Sequence, residues 1–377
     1  MHTFDSAQMT RDLEALVVTE SPSSDPEALA RGAAIVAEIG TRLFGAPPTV
    51  IVRDGRPEVA WRFGAPEDAA VLVLGHLDTV WPIGSLITQP WRIEDGRGYG
   101  PGCFDMKAGL VQALHAVASL EQRSGVTVLI TSDEELGAPS SRPRIEAEAA
   151  AHRRTLVFEG SADGGRIKTA RRGVSMYRVH VTGRAAHAGL EPWAGINATV
   201  ELAAQVAQIA ALDESPDGPS VTPTLAASGT SSNTVPQSAW VDVDARCVTA
   251  AQQRELHERM LALRPTLAGA TLRIDGGPRH PPLEESQTLE GYAELVEAAT
   301  RLGMTPPGTA RVGGGSDGNL AGAAGSVVVD GFGAVGGNAH APGEWVDLAE
   351  MPRRAALAAE LIRGLLAGNG AGPSAER

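Results

Sequence analysis

The sequence is poor in cysteine and in aromatic residues, and it has no long hydrophobic run. Its 377 residues include only Cys103 and Cys247, too few for a disulfide framework and typical of a reducing compartment. No apolar stretch approaches the roughly 20 residues of a membrane-spanning helix. The first residues also lack the basic start and apolar run of a signal peptide. These absences predict a cytoplasmic protein without a membrane segment.

Basic residues are outnumbered by acidic ones. The chain has 45 Asp and Glu against 32 Lys and Arg, a formal net charge of −13. Nucleic acid and anionic membrane surfaces are therefore poor partners, and some of the excess carboxylate could serve to bind metal. Hydrophobic residues make up 43% of the chain, as in an ordinary globular protein. Because single cores usually split beyond about 250 to 300 residues, we expect two domains.

Apolar segments alternate with helical segments in the first part of the chain. Short apolar runs at 71–75, 126–131 and 155–158 are typical of buried strands, and 107–120 has helical spacing. A further helix is predicted at 26–44, where Pro26 begins it and Gly45 follows it. Alternation of this kind indicates an α/β fold with a mixed, mostly parallel sheet flanked by helices.

The pattern changes near Gly173. The following segments predict the order β-α-β-β-α-β, which is that of a split, ferredoxin-like α+β unit. We therefore expect one domain formed by residues 1–172 and 285–377, with residues 173–284 as an inserted domain. The predicted elements of the insertion are strand 173–181, helix 195–212, strands 221–228 and 239–247, helix 250–264 and strand 270–274.

Histidines and carboxylates follow the predicted strands of the first domain. Because the carboxyl ends of parallel strands meet at one edge of a sheet, these side chains should converge. They would destabilise one another there unless cations neutralised them. Nitrogen and oxygen ligands without thiolate suit zinc, and manganese or cobalt next best. The residues are His76, Asp78, Asp133, Glu134, Glu135, Glu159 and His340, together with Asp105 just before the helix that starts near Lys107.

Each of these residues also has an ordinary structural explanation. Asp105 could cap the following helix, and Glu134 with Glu135 could form a solvated acidic loop. His76 and Asp78 could form a polar pair, because side chains two apart on a strand point the same way. In a metal site the same pair has a use, since Asp78 would accept a hydrogen bond from one ring nitrogen of His76 and leave the other for the metal. Their joint occurrence at successive strand ends favours the metal site.

Six motifs resemble, in order, those of a known enzyme family. The family is the co-catalytic zinc family that includes bacterial glutamate carboxypeptidase, aminoacylase, acetylornithine deacetylase and succinyl-diaminopimelate desuccinylase. The likeness covers about residues 70 to 350 and is greatest to the glutamate carboxypeptidase branch. The motifs are Gly75–Val80, Gly100–Lys107, Ser132–Glu135, Phe158–Glu159, Gly313–Asp317 and Asn338–His340.

The resemblance implies a role for each residue at the strand ends. Asp105 would bridge two zinc ions, with cobalt or manganese as possible replacements. His76 and Glu159 would complete one site, and Glu135 and His340 the other. Glu134 would be the general base, and Asp78 would orient His76. A pair of ions of this kind lowers the pKa of a water molecule and polarises the carbonyl of the substrate.

The resemblance also identifies the insertion as a lid and dimerisation domain of a homodimer. In that family a histidine equivalent to His187 stabilises the oxyanion across the dimer. Without the resemblance, His187 would be interpreted as an ordinary turn histidine. Arg246 has the planar fork that pairs with a substrate carboxylate, although a surface ion pair is the alternative. The residues matched to substrate contacts are Asn233, Arg246, Gly314, Gly315 and Arg166, the last of which stands roughly where the folate-cleaving enzyme has a lysine.

These observations predict a metallopeptidase or amidohydrolase that acts on a small N-acyl amino acid or peptide. The bond cleaved would join an acyl or peptidyl group to an amino acid with a free carboxylate. The likeness to the glutamate carboxypeptidase branch implies that this amino acid is glutamate. The segment before Pro278 lacks an arginine expected for glutamate specificity, so an N-acyl-amino-acid deacylase is the alternative. A catalytically silent binding protein, and use of the site to form amides, are more distant alternatives.

Overall fold

A computed structural model describes residues 4–216 and 218–369. No helix in these ranges combines the length and the apolar character needed to cross a membrane. The helices are α1 Ser6–Val18, α2 Pro26–Phe44, α3 Ser85–Thr88, α4 Ala108–Ala118, α5 Arg142–Ala151, α6 Ala198–Ala210, α7 Ala250–Leu261, α8 Leu289–Arg301, α9 Asp317–Ala323 and α10 Glu350–Asn369. The strands are β1 Thr49–Arg53, β2 Arg56–Arg62, β3 Val71–His76, β4 Arg92–Glu94, β5 Arg97–Tyr99, β6 Val126–Thr131, β7 Arg154–Val157, β8 Ile167–Arg171, β9 Gly173–Thr182, β10 Ala186–His187, β11 Ser220–Ser228, β12 Thr234–Val235, β13 Ser238–Cys247, β14 Thr271–His280, β15 Thr309–Val312, β16 Val327–Asp330, β17 Gly336–Gly337 and β18 Trp345–Asp347.

The chain divides into two compact units. The larger unit comprises the described residues of Met1–Ala170, Glu284–Val312 and Ser316–Arg377. The smaller unit comprises those of Arg171–Leu283 and Gly313–Gly315. The division predicted from the sequence also gives residues 173–284 a role, as a lid and dimerisation domain. That division stays a prediction.

The larger unit is built on a mixed sheet that has eight strands within the described residues. Their order is β1-β2-β6-β3-β7-β16-β8-β15. The four central strands, β6, β3, β7 and β16, run parallel, whereas β2 and β8 run antiparallel to their neighbours. Every residue of β3, β6 and β7 is buried, which explains their uninterrupted apolar sequence. The predicted α/β class with a mostly parallel sheet is confirmed.

Helices cover the sheet in two packed groups. Helix α4 contacts α1, α2 and α10, and α5 contacts α9. Helix α2 shows why these elements form where they do, because the Asp25 side chain accepts hydrogen bonds from the N–H groups of Glu27 and Ala28 at its start. The helix ends at Gly45, whose φ of 74° needs a residue without a Cβ atom. The bounds predicted for this helix are confirmed.

The smaller unit contains an antiparallel sheet in the order β11-β13-β9-β14. With α6 and α7 it has the β-α-β-β-α-β sequence and the strand order of a ferredoxin-like unit. Strand β14 is twice as long as predicted, because it continues to pair with β9 through Gly276 and Gly277. The two ends of the unit are adjacent, since the backbone groups of Arg171 and Leu283 exchange hydrogen bonds of 2.9 and 3.0 Å.

Several strands have no prediction to match them. Strands β1 and β2 form a hairpin whose outer strand is mostly exposed, so its alternation of polarity is weak. Strands β4, β5, β17 and β18 form a separate small sheet from segments of two or three residues. Strands this short have no detectable period, and their pairing partners are distant in sequence.

Candidate metal centre

The candidate site begins at the carboxyl ends of three adjacent parallel strands. His76 is the last residue of β3, the Asp133–Glu135 segment follows β6, and Glu159 follows β7. Parallel neighbours bring these residues to one edge of the sheet, as their positions in the sequence predict.

Two glycines allow the turn that carries Asp105 to lie against these strand ends. A Cβ atom on Gly75 would lie 2.6 Å from the end of the Met106 side chain, so a larger residue in β3 would have to displace that side chain from this turn. A Cβ atom on Gly109, in α4, would lie 1.9 Å from the carbonyl oxygen of Phe158. Because the turn Cys103–Lys107 runs directly into α4, both contacts hold Asp105 beside His76 and Glu159.

The two carboxylate oxygens of Asp105 lie in two different groups of side chains. Its Oδ1 is 3.3 Å from His76 Nε2, which is itself 3.4 Å from Glu159 Oε1. Its Oδ2 is 3.3 Å from His340 Nε2, which is 3.1 Å from Glu135 Oε1. In each group the nitrogen and oxygen atoms all lie within 4.8 Å of one another, so each group could hold a metal ion. One carboxylate would then serve both ions.

The side chains fit a metal better than they fit one another. His76 Nε2 is buried and has no hydrogen-bond partner among the described residues, although carboxylate oxygens surround it. A buried polar nitrogen without a partner is costly in a folded protein, and coordination of a cation removes the cost. The alternative for Asp105 as a helix cap is not what the structure has, because Lys107 occupies the cap position of α4. The donor set of imidazole and carboxylate suits zinc, cobalt or manganese.

Asp78 organises the site through the backbone as well as through His76. The hydrogen bond of His76 Nδ1 goes to the carbonyl oxygen of Asp78 at 3.0 Å, whereas we expected the carboxylate, which is 3.4 Å away. The carboxylate instead accepts the backbone N–H groups of Glu134 and Glu135, each at 3.2 Å, and the hydroxyl of Ser23 at 2.7 Å. Asp78 therefore fixes both the histidine ring and the turn that carries the two glutamates.

The protonation of the site reflects the crowding of its charges. Burial raises the pKa of the Glu134 carboxyl well above its usual range. Hydrogen bonds with Asp105 and Glu135 raise the pKa of His340 to about 10. Burial alone would raise the pKa of Asp105, but the neighbouring rings of His340 and His76 lower it below its usual range. When only protein groups are present, protons on these side chains therefore balance the negative charge of the site. A bound cation could replace those protons.

Two acidic residues near the site received no role from the sequence. Burial raises the pKa of Asp317 to about 7, and its Oδ2 accepts a hydrogen bond from the Thr131 hydroxyl at 3.3 Å. Glu344 is 1% exposed and accepts hydrogen bonds from the turn that carries Asp105. Asp317 ends the motif Gly313–Asp317, and that membership was the available signal for it. Glu344 comes four residues after the motif Asn338–His340 and lies in none of the six motifs.

His187 and Asn233 lie together in the smaller unit. Strand β10 pairs with β12, which places His187 opposite Thr234, and the N–H of Ala188 donates to the Asn233 carbonyl at 2.9 Å. His187 is exposed, and its Nδ1 accepts the N–H groups of Gly189 and Leu190, each at 3.1 Å. Because Nδ1 is an acceptor, the neutral ring carries its proton on Nε2 and presents it as a donor.

The other predicted substrate contacts have protein partners. Arg246 forms a two-pronged pair with Asp244, with N–O distances of 2.7 and 2.8 Å, which is the surface ion pair considered as its alternative. The carbonyl groups of Gly314 and Gly315 accept hydrogen bonds from Arg171 at 3.2 and 3.0 Å. Arg166 is exposed and donates to the Asp163 carbonyl at 2.9 Å. Their roles toward a substrate stay predictions.

Comparison with known sequences gives one family and a group of related enzymes. The sequence profile of Peptidase family M20/M25/M40 matches residues 72–364. Carboxypeptidase G2 of Pseudomonas sp. (strain RS-16) is 32% identical over 313 residues, which cover 79% of this chain and 74% of that protein. The matched range includes every candidate ligand residue, from His76 to His340.

Solved structures share the fold at low sequence identity. The aminopeptidase PepT from Bacillus cereus superposes with a TM-score of 0.75 at 19% identity and covers 96% of this chain and 99% of its own. The M20 family metallo-carboxypeptidase Sso-CP2 from Sulfolobus solfataricus also has a TM-score of 0.75, at 18% identity, and covers 97% of this chain and 100% of its own. Identities this low speak for the fold alone.

Proposed function

The chain belongs to Peptidase family M20/M25/M40, and from this premise we propose that it is a dinuclear zinc hydrolase of the glutamate carboxypeptidase type. It would cleave the amide bond between an acyl or peptidyl group and an amino acid with a free carboxylate. The observation that supports this most directly is the division of the two Asp105 oxygens between two groups of ligand side chains. The enzyme class itself, a hydrolase, follows from the family.

The ligand assignment follows the two groups. His76 and Glu159 would hold one metal, Glu135 and His340 the other, and Asp105 both. Bound there, two divalent ions supply Lewis acidity that polarises the scissile carbonyl and acidifies the attacking water. Glu134 is placed in neither group, since its Oε2 is 3.9 Å from His76 Nε2, farther than the oxygen atoms of the proposed ligands. We assign it as the general base, which takes a proton from the water and gives it to the leaving nitrogen.

The smaller unit would complete the site from a second subunit. His187 presents an N–H donor at Nε2, which is the group needed to stabilise an oxyanion. Support for a homodimer comes from β11, an edge strand whose Leu225 is 62% exposed, and from Val200 on α6, which is 53% exposed. Apolar side chains and an unpaired strand edge on one unit suit a symmetric contact. A cytoplasmic location, inferred from the cysteine content, belongs to the same proposal.

Recognition of the substrate carboxylate falls to Arg246 in this proposal. Its guanidinium is now paired with Asp244, so a bound carboxylate would have to take the place of that partner. Exchange of one carboxylate for another is feasible because Asp244 is 30% exposed and pairs outside the core. Asn233, Gly314, Gly315 and Arg166 would make the remaining polar contacts.

An N-acyl-amino-acid deacylase is the second candidate function. The observation in its favour is the sequence Asp275-Gly276-Gly277 before Pro278, which has no basic residue to receive a glutamate side chain. In the structure this segment is the continuation of β14 beside β9. Specificity for glutamate would then need a cation from elsewhere, such as Arg166.

A substrate panel separates these functions. The protein would be stripped of metal, reconstituted with zinc, and assayed for amine release from peptidyl-glutamates and from N-acyl derivatives of several amino acids. Zinc-dependent release confined to C-terminal glutamate supports the carboxypeptidase. Release from other N-acyl amino acids would assign the deacylase, and release from no substrate by a protein that holds two zinc ions would contradict both.

A further inference from the structure

We infer that Glu344 is a positioning residue, which holds Asp105 at the point where it can reach both metal groups. Its side chain accepts hydrogen bonds from backbone N–H groups at the Asp105 turn, so it would act through the backbone of that turn. The inference rests on the proposed metal centre and extends it to a residue outside the ligand set. It predicts that Glu344 governs how tightly the pair of metal ions is held.

Four N–H groups converge on the Glu344 carboxylate. Oε1 accepts the backbone N–H groups of Phe104 at 2.8 Å and of Asp105 at 2.9 Å. Oε2 accepts the backbone N–H of Gly102 at 2.8 Å and the indole N–H of Trp81 at 2.7 Å. Three of these donors lie in the turn Cys103–Lys107 or directly before it. One side chain therefore fixes the backbone from Gly102 to Asp105.

The same residue ties this turn to the loop of the second histidine. Glu344 comes four residues after His340 and directly before β18, which pairs with β5 just ahead of the turn. Its carbonyl oxygen also accepts the N–H of Gly100 at 3.3 Å. The bridging aspartate and His340 are therefore held at a common anchor, although they are distant in sequence. A shift of the anchor would move two of the three ligands of the second metal group, Asp105 and His340, together.

Only an ionised carboxylate can accept all four hydrogen bonds. A glutamine at this position has nearly the same shape, but its amide nitrogen is a donor and would face N–H groups. The buried donors that it failed to satisfy would then relax toward other acceptors and move the turn. Because partners of this kind outside the ligand set typically change metal affinity by about 10- to 100-fold, we expect a loss of that size in Glu344→Gln.

The test measures zinc retention by the holoenzyme. Parent and Glu344→Gln proteins would be loaded with zinc and dialysed against a series of zinc buffers, and bound zinc per subunit would be determined by elemental analysis. The expected result is that one or both ions leave the variant at free zinc concentrations roughly 10- to 100-fold higher than in the parent. Trp81→Phe, which removes one donor and leaves the three backbone donors, should show a smaller change in the same direction.

Glu201→Gln is the matched control. Glu201 is also a fully buried carboxylate that accepts backbone N–H groups from a loop, in this case those of Thr266 and Leu267, but it lies in the smaller unit. If Glu344 acted only through general stability, both glutamine variants would lose stability and neither would lose zinc. Urea unfolding of the metal-free proteins gives the stability of each, and zinc retention gives the positioning effect.

Two outcomes bear on different claims. Retention of two zinc ions by Glu344→Gln with the affinity of the parent would overturn the inference, whatever the substrate of the enzyme. Failure of the parent itself to bind two zinc ions would overturn the proposed metal centre instead. If Glu344→Gln does not fold, Trp81→Phe decides, because unchanged zinc retention in a folded Trp81→Phe protein would count against the anchor.

Discussion

Adjacent glutamates acquire different surroundings because of one short turn. Glu135 Oε1 lies 3.1 Å from His340 Nε2, whereas the nearest ligand nitrogen to Glu134 Oε2 is His76 Nε2 at 3.9 Å. Their backbone N–H groups are both held by the Asp78 carboxylate, so neither residue can rotate into the position of the other without losing that contact. In the proposed mechanism, one carboxylate is thereby directed to a metal and the other is left for proton transfer.

Substitution of the two glutamates should separate these roles. We expect Glu134→Gln to keep both zinc ions and to lose turnover by about 10²-fold or more, because it removes a general base and no ligand. Glu135→Gln, with the same change of chemistry one residue later, should bind the second ion more weakly. Zinc content and turnover of both variants, measured side by side, check the assignment.

The reverse pattern would exchange the two assignments. His76, Glu134 and Glu135 also come within 4.8 Å of one another, so Glu134 has a geometric alternative as a ligand. Loss of zinc from Glu134→Gln but not from Glu135→Gln would establish that alternative. Full turnover by Glu134→Gln would remove it from the mechanism altogether.

The sequence predicted the residues at the strand ends but not the residues that hold them. His76, Glu159 and the Glu134–Glu135 pair could be found because each lies at the end of an apolar strand or within a few residues of it. Glu344 could not, because its four donors come from Trp81 and the Asp105 turn, more than 200 positions away. The pairing of Arg246 with Asp244 was open for another reason, since spacing alone cannot tell a surface ion pair from a substrate contact.

At the scale of elements, a buried carboxylate also holds a loop of the smaller unit. In the smaller unit Glu201, on α6, accepts hydrogen bonds from the backbone N–H groups of Thr266 and Leu267 and from the Thr266 hydroxyl. The loop between α7 and β14 is therefore attached to a helix far from it in sequence. Burial alone would raise the pKa of Glu201, but these hydrogen bonds outweigh it and hold the pKa below its usual range.

This attachment should depend on pH. Because the folded pKa of Glu201 is depressed, its contribution is present above the unfolded value of 4.5 and is lost as the pH falls through the folded value. We expect Glu201→Gln to lower the free energy of unfolding by about 1 to 3 kcal/mol at pH 7. The difference from the parent should shrink below about pH 4.5. Urea unfolding of the metal-free proteins at both pH values measures it, and a gap that stays constant with pH would contradict the account.

Elements were predicted well where burial selects a continuous run of apolar residues. Strand β6 was predicted at its observed bounds, since all six of its residues are buried. The β1–β2 hairpin was missed because β1 is exposed along most of its length, and β15 was missed because Thr309 and Arg311 face solvent. An exposed strand forms because it pairs with a neighbouring strand, and its own sequence has no pattern that predicts this pairing.

At the scale of the whole molecule, the proposed dimer makes each site depend on two chains. If His187 acts in trans, a subunit with an intact Glu134 needs a partner with an intact His187. Equal mixing of Glu134→Ala and His187→Ala proteins should then restore roughly a quarter of the parental activity. Half of the dimers would be hybrids, and one of the two sites in each would be complete.

The mixing experiment needs proof that subunits exchange. Differently tagged subunits, recovered together by affinity purification, supply that proof. Recovered hybrids without activity would show that His187 does not act across the dimer, and the absence of any dimer by ultracentrifugation would contradict the proposed assembly itself. The parent mixed with each variant gives the reference activities.

The adjacent ends of the smaller unit have a consequence for how such a protein can change over generations. Because Arg171 and Leu283 are hydrogen-bonded neighbours, the whole insertion departs from and returns to nearly one point of the chain. If this segment were gained, lost or exchanged, the rest of the chain would have only a short gap, of the kind that a short turn closes. Ancestral recombination could thus have exchanged the smaller unit while the larger unit stayed unchanged, and laboratory shuffling of this segment among relatives can use the same junction.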